Sequence, residues 1–170
     1  MSRLIDFYRG EATDAEGRRL EEIWRWSDDD WEEVHDFIQW LFPLPEPSRF
    51  NPDAPLLTAA DVAAFRADAA LLDRLRRSYD RFLSFAGLAQ GEGGRVVDGP
   101  NLAARAPDVW SWRNHNWLRI SRVLRSLSLL GLGRQARALF AWLQAARDAG
   151  RFPIDDAFRY WAEAAEAGPG

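Results

Sequence analysis

Residues 35–47 read His35-Asp36-Phe37-Ile38-Gln39-Trp40-Leu41-Phe42-Pro43-Leu44-Pro45-Glu46-Pro47. The run combines aromatic anchors, a histidine and a glutamine in one short amphipathic segment of helix. Prolines then end that helix, because the residue before a proline disfavours the α-helical region. Core packing alone does not require this mixture of side chains. We therefore treat His35, Gln39 and Trp40 as candidate ligand-binding residues, with His35 and Gln39 on one helix face because they are four positions apart.

Apolar spacing of three to four residues recurs along the chain and predicts an all-α fold of about six helices. We expect a compact single-domain bundle over residues 1–170, since this length is typical of one domain. Thr13-Asp14-Ala15-Glu16, Ser27 to Asp30 and Thr58 to Asp61 resemble helix N-caps. The predicted helices run from these caps to about Trp26, Leu41 and Leu83, and then over about 116–130, 135–149 and 155–165. Nothing alternates with period two for long, so no sheet is expected.

Two long connections interrupt the predicted helices. Five prolines between Pro43 and Pro55 indicate an ordered, extended loop. Residues 87–107 are rich in glycine and form the least structured part of the prediction, a mobile loop.

A second polar and aromatic cluster precedes the predicted helix that ends near Leu130. Its candidate ligand-binding residues are Trp110, Trp112, Arg113, His115, Asn116 and Arg119. Arginine among aromatic rings suits the recognition of phosphate or nucleobases. The arginines from Arg113 to Arg137 equally fit a solvated helix face, and nine tryptophans in 170 residues fit both a core and a ligand groove.

Composition excludes several classes of protein. The chain has no cysteine, which excludes disulfides and thiolate sites. The two histidines lack metal-ligand spacing, so neither a metal nor a cofactor is predicted. No nucleophile–base pattern is present, and no enzyme is predicted. No apolar run could span a membrane, and Met1-Ser2-Arg3-Leu4 leads into charged sequence, so we expect a cytoplasmic protein.

Charge is distributed unevenly. All 22 basic residues are arginine, which with the many alanines indicates a GC-rich bacterial genome. Residues 1–46 carry 13 acidic and 5 basic side chains, whereas residues 109–147 carry 7 arginines and no acid. The net charge of −4 disfavours nucleic acid as a partner, because duplex-binding domains usually present a broad basic surface.

The two polar-aromatic stretches together resemble the conserved domain of the opioid growth factor receptor family. The first is residues 35–47, and the second is Trp112-Arg113-Asn114-His115-Asn116-Trp117-Leu118-Arg119-Ile120, with likeness continuing to Leu132. The resemblance extends from about residue 7 to residue 161. It implies a helical binding module in which the two stretches lie close together. In animal members it implies binding of an enkephalin-type opioid peptide, a ligand that we do not expect in a bacterial chain.

The resulting hypothesis is a non-enzymatic module that binds a peptide or a small molecule. One alternative is a nucleic-acid-associated protein that uses the Arg113–Arg137 face. The other is an enzyme that uses His35 and His115. The patterns indicate no oligomeric state.

Overall fold

The computed structural model describes residues 2–166, which contain ten α-helices and one two-stranded hairpin. The all-α prediction is confirmed, although the helices are more numerous and shorter than expected. The chain divides into two compact units, one ending at Ser78 and the other beginning at Tyr79. The elements are α1 Arg3–Arg9, α2 Leu20–Arg25, α3 Asp28–Glu33, α4 Ile38–Leu41, α5 Ala59–Ala67, α6 Ala69–Phe85, β1 Leu88–Gln90, β2 Val96–Asp98, α7 Leu102–Val109, α8 Asn116–Leu129, α9 Gly133–Asp148 and α10 Asp155–Glu166.

Aromatic side chains fill the core of the first unit. The ring of Phe7 in α1 meets Trp40 edge-on at 5.2 Å, and Tyr8 meets Phe65 of α5 at 4.9 Å. Tyr8 also donates a hydrogen bond from its hydroxyl to the carbonyl of Leu41. Burial raises the pKa of Tyr8 well above its usual range, so the phenol stays neutral and keeps this donor.

The predicted helix from Thr13 to Trp26 is wrong in its first half, because only residues 20–25 are helical. Asp14 is the reason. Its buried carboxylate accepts hydrogen bonds from the backbone amides of Glu16 and Arg18, at 3.0 and 2.8 Å, which holds a turn in place of a helical start.

A single helix was predicted from residue 28 to residue 41, and the structure breaks it at residues 34–37 into α3 and α4. Trp31 and Phe37 explain the break. The two residues are six positions apart, and six positions of one continuous helix rotate a side chain by about 240° beyond a full turn. The two rings would therefore point to different faces of that helix. With the break, both rings are buried and meet edge-on at 4.8 Å.

The capping boxes at Ser27 and Thr58 are confirmed. The hydroxyl of Thr58 accepts from the Asp61 amide, and the Asp61 carboxylate accepts from the Thr58 amide at 2.9 Å. The long helix predicted after Thr58 divides at Asp68, which has extended backbone angles. The Asp68 carboxylate then accepts from the amide of Ala70 at 2.9 Å and so starts α6.

In the second unit, residues 87–107 hold more structure than predicted. β1 and β2 pair antiparallel, with Leu88 opposite Asp98 and Gln90 opposite Val96, and most of α7 follows. Gly87 precedes the hairpin with a φ of 78°, and a Cβ atom there would lie 2.7 Å from the Cα of Leu102. Only glycine fits at that close approach, which the composition alone did not indicate.

Helices α8, α9 and α10 pack together and form the apolar core of the second unit. Their predicted bounds are confirmed to within two residues. Gly131 follows α8 with a φ of 99° and Gly150 follows α9 with a φ of 62°, as expected for glycines that end helices. Leu124, Leu127, Leu143 and Trp161 are all completely buried.

Candidate functional site

The first sequence block lies mainly in the core of the first unit. Trp40 is completely buried, with the guanidinium of Arg3 4.9 Å from its ring centroid. Gln39 is also buried, and its amide donates to the carbonyl of His35 at 3.3 Å and the hydroxyl of Ser48 at 3.4 Å. Trp40 Nε1 and Gln39 Oε1 are shielded from solvent and lack a hydrogen-bond partner among residues 2–166. His35 alone of the three candidates is exposed.

Three candidates of the second block are core residues of the second unit. Trp110 is 1% exposed, and its indole donates to the carbonyl of Ala86 at 2.8 Å. Asn116 is 1% exposed, and its amide nitrogen donates to the carbonyl of Asp108 at 3.3 Å. Arg119 is 4% exposed, with its guanidinium 5.7 Å from the ring centroid of Phe85. Arg119 therefore belongs to the core, and neither a solvated arginine face nor phosphate contact fits it.

The remaining candidates, Trp112, Arg113 and His115, are exposed just before α8. Arg113 adopts the left-handed region with a φ of 49°, and its guanidinium lies 4.5 Å above the ring of Trp112. Asn114 fixes this turn, because its amide nitrogen donates to the carbonyl of Ser111 at 2.6 Å and its oxygen accepts from the amide of Asn116 at 2.9 Å. The turn therefore presents a stacked cation and ring to solvent.

An open groove of about 520 Å³ lies beside this turn, between α8 and α10. Both walls belong to the second unit. Its lining residues are Arg113, Asn114, Trp117, Leu118, Ser121, Asp156, Ala157, Tyr160 and Trp161. We call this feature the α8–α10 groove.

The walls of the α8–α10 groove are aromatic and apolar. Trp117 and Trp161 meet edge-on at 6.3 Å, and the Trp161 indole donates to the Trp117 carbonyl at 3.1 Å, which fixes the floor. Leu118 and Tyr160 stand at the sides and are 60% and 55% exposed. Trp117 Nε1 is shielded from solvent and has no hydrogen-bond partner in the described chain. Buried indole donors usually have a partner, so Trp117 is an exception within the described chain.

A charge pair marks the rim of the groove. The guanidinium of Arg113 and the carboxylate of Asp156 are 3.4 Å apart, and their side chains are 65% and 57% exposed. Such a solvated pair is worth little, about 0–1 kcal/mol. Charged groups of a ligand can therefore replace it at small cost.

Sequence reasoning found Arg113 but missed most of the groove. Leu118, Ser121 and Tyr160 were not among its candidate residues. One sequence signal could have indicated the groove. Residues 117, 118 and 121 share one face of α8, and residues 156, 157, 160 and 161 share one face of α10, because residues three to four positions apart lie on the same side of a helix. Among residues 2–166, no cluster of three or more acidic or histidine side chains could hold a metal ion. None of the helices within that range is long and apolar enough to cross a membrane.

Fold and groove together define a helical domain with an open aromatic site. The chain belongs to the family of the opioid growth factor receptor conserved region, which matches residues 2–146. Over 134 residues, or 75% of this chain, it is 39% identical to the opioid growth factor receptor of Homo sapiens. It is 34% identical over 120 residues, 68% of this chain, to opioid growth factor receptor-like protein 1 of Xenopus tropicalis.

These matches cover 20% and 23% of those two proteins, so the chain spans about a fifth to a quarter of their length. No solved structure matches the chain. The family match ends at residue 146, earlier than the predicted 161. Helix α8 therefore lies within the matched region, whereas α10 follows it.

Proposed function

We propose that this protein is a non-enzymatic ligand-binding module whose ligand, a peptide or a small molecule, occupies the α8–α10 groove. The observation that carries the proposal is the groove itself, with exposed Leu118 and Tyr160 over a floor of Trp117 and Trp161. Large apolar side chains are costly to expose in this way, and ligand-binding surfaces are where they are retained.

A peptide fits the groove better than a compact small molecule. Sites for small molecules usually bury most of the ligand, whereas this groove is open along its length. Its solvated charge pair suits a chain that carries charge beside an apolar side chain. Two relatives are named receptors or receptor-like proteins, which agrees with a binding role. Because the α10 wall follows the family match, the ligand of those relatives is not transferred to this chain.

We propose that the site residues predicted from the sequence have two different roles. Trp112, Arg113 and His115 contact the ligand at the groove edge, since they are exposed. The buried candidates Gln39, Trp40, Trp110, Asn116 and Arg119 support the fold. We further propose a cytoplasmic bacterial protein, on the basis of its cysteine-free, lysine-free composition.

A random peptide library displayed on phage tests the proposal. A peptide enriched on the full chain would be labelled and titrated by fluorescence polarisation. We expect Leu118→Asp and Tyr160→Ala to weaken its binding at least about tenfold, because both side chains wall the groove. Val97→Ala is the matched control, since Val97 is exposed but lies on β2 outside the groove.

Two results would refute the proposal. One is the absence of any enriched peptide that binds the folded chain in solution. The other is an enriched peptide that binds the two groove variants as tightly as the parent, since the ligand would then occupy a different surface.

The two alternatives have weaker support. A nucleic-acid interface along Arg113–Arg137 would include Arg119, which is buried. An enzyme that uses both histidines would need a groove lined by them, and neither histidine lines the α8–α10 groove.

A further inference from the structure

We propose that the partner of the α8–α10 groove is the proline-rich segment of a second copy of this chain, so that copies associate head to tail. We call residues 44–56 the prolyl segment. The inference rests on the proposed function, because it takes the groove as a binding site. It adds the identity of the occupant.

The exposed apolar side chains point to these two surfaces. Six large hydrophobic side chains are exposed among the described residues: Phe50, Leu56, Val97, Trp112, Leu118 and Tyr160. Two lie on the prolyl segment, and three lie in the groove or on the turn beside it. Phe50 is the most exposed of all, at 71%. Apolar exposure is thus concentrated on the prolyl segment and at the α8–α10 groove.

The prolyl segment is held in place before it meets a partner. The amide of Leu57 donates to the carbonyl of Leu44 at 3.0 Å and joins its two ends. Asn51 is buried and donates to the carbonyl of Asp36 at 2.6 Å. The backbone of Phe50 donates to the hydroxyl of Ser48 at 3.2 Å. An ordered segment loses little conformational entropy when its aromatic side chain is buried by a partner.

The chemistry of the segment matches that of the groove. Prolines present apolar ring faces and no backbone donor, so they offer an apolar surface to a groove lined by aromatic side chains. Exposed Tyr160 and half-buried Trp117 supply that lining.

Charges on the two surfaces are also complementary. Glu46 and Arg49 are exposed in the prolyl segment, three positions apart. Arg113 and Asp156 lie at the groove rim in a solvated pair. When the prolyl segment of one copy binds the groove of another in the matching direction, its Glu46 lies beside Arg113 and its Arg49 lies beside Asp156. Opposite charges at a rim fix the orientation of a partner more than they add affinity.

The two surfaces differ from each other, so the contact is heterologous. A pair of copies keeps one unfilled groove on one copy and one unfilled prolyl segment on the other, and association then continues along an open chain unless the rotation closes a ring. The average mass should therefore rise with concentration beyond that of a dimer.

Sedimentation velocity of the full chain over a range of concentrations tests the inference, with Phe50→Asp and Tyr160→Asp as the two variants. Each variant loses one surface and keeps the other, so each alone should sediment as a monomer. An equal mixture should form a dimer and nothing larger, because one intact groove meets one intact prolyl segment. Val97→Ala should behave like the parent, and circular dichroism would confirm that every variant keeps its helices.

Three outcomes would overturn the inference. A parent chain that stays monomeric at every concentration would do so, and groove binding of the phage-selected peptide would then leave the proposed function standing. A mixture of the two variants that stays monomeric would show that their surfaces are not partners. Loss of association in Tyr160→Asp but not in Phe50→Asp would give the groove a different occupant.

Discussion

Two tryptophans only two positions apart, Trp110 and Trp112, have opposite environments. Trp110 is 1% exposed and packs against Trp142 at 5.0 Å and Phe152 at 5.6 Å, whereas Trp112 is 62% exposed. We expect Trp110→Ala to lower the free energy of unfolding by about 3–5 kcal/mol, the usual cost of a large aromatic cavity. Trp112→Ala should change it by less than about 0.5 kcal/mol. Urea unfolding of both variants measures this difference, and equal losses would contradict it.

Asp98 links the hairpin to the helices that follow it. Its carboxylate accepts from the Arg151 guanidinium at 2.7 and 3.1 Å and from the Trp142 indole at 3.0 Å. The Arg151 hydrogen bonds hold the pKa of Asp98 below its ordinary value. A depressed carboxylate pKa stabilises the fold above the unfolded-state pKa of about 3.9, and that stability is lost as pH falls through the folded-state value.

Asp98→Asn should therefore destabilise the protein at neutral pH by about 0.2–1 kcal/mol, since the pair is partly solvated. The deficit relative to the parent should shrink as pH falls below about 4. Thermal melts from pH 7 to pH 3 measure it, with Asp148→Asn as the control at an exposed carboxylate of α9. A stability deficit that grows as the pH falls would contradict this prediction.

Single residues also mark the limit of sequence interpretation at the site. The mixed character of Gln39 and Trp40 was taken as a ligand signature, yet both side chains are buried. Residue type indicates that a position is unusual, whereas burial depends on contacts from distant elements, such as Phe7 against Trp40. Leu118 shows the converse, because an apolar side chain in a helical pattern is normally assigned to the core.

At the scale of elements, capping chemistry determines where helices begin. The hydroxyl of Ser27 accepts from the amide of Asp30 at 3.1 Å, and the Asp30 carboxylate accepts from the Ser27 amide at 3.0 Å. Ser2 precedes α1 without a side-chain capping bond in the described chain. Ser27→Ala should cost about 0.5–2 kcal/mol of unfolding free energy. Ser2→Ala should cost clearly less, and denaturant unfolding of the two variants makes the comparison.

The predicted elements were most accurate where local signals and packing agree. Ser27 and Thr58 start helices as their capping boxes predict. Thr13 has the same pattern but starts none, because Asp14 uses its carboxylate to hold a turn. Apolar periodicity alone predicted one helix in place of α3 and α4, because it carries no information about the contact between Trp31 and Phe37. The long helices of the second unit were predicted well because glycines with positive φ end two of them.

At the scale of the whole chain, the family match and the groove do not coincide. The match ends at residue 146, between the two helices that form the groove walls. One wall is therefore built from residues within the family region and the other from residues beyond it. Family membership therefore accounts for the α8 wall, whereas any role of the groove is argued from the groove's own residues.

Net charge gives the last prediction. The chain carries a formal charge of −4, and several arginines are paired with carboxylates within their own units, including Arg18 with Asp36 at 2.8 Å and Arg151 with Asp98 at 2.7 Å. Paired and buried arginines release few counterions, so phosphate contact gains little. We expect no sub-micromolar binding to single- or double-stranded DNA or RNA at physiological salt, measured by fluorescence polarisation with labelled oligonucleotides. Tight binding with a steep salt dependence that disappears in Arg113→Ala would contradict this expectation and would assign the basic residues near α8 a direct role in nucleic-acid binding.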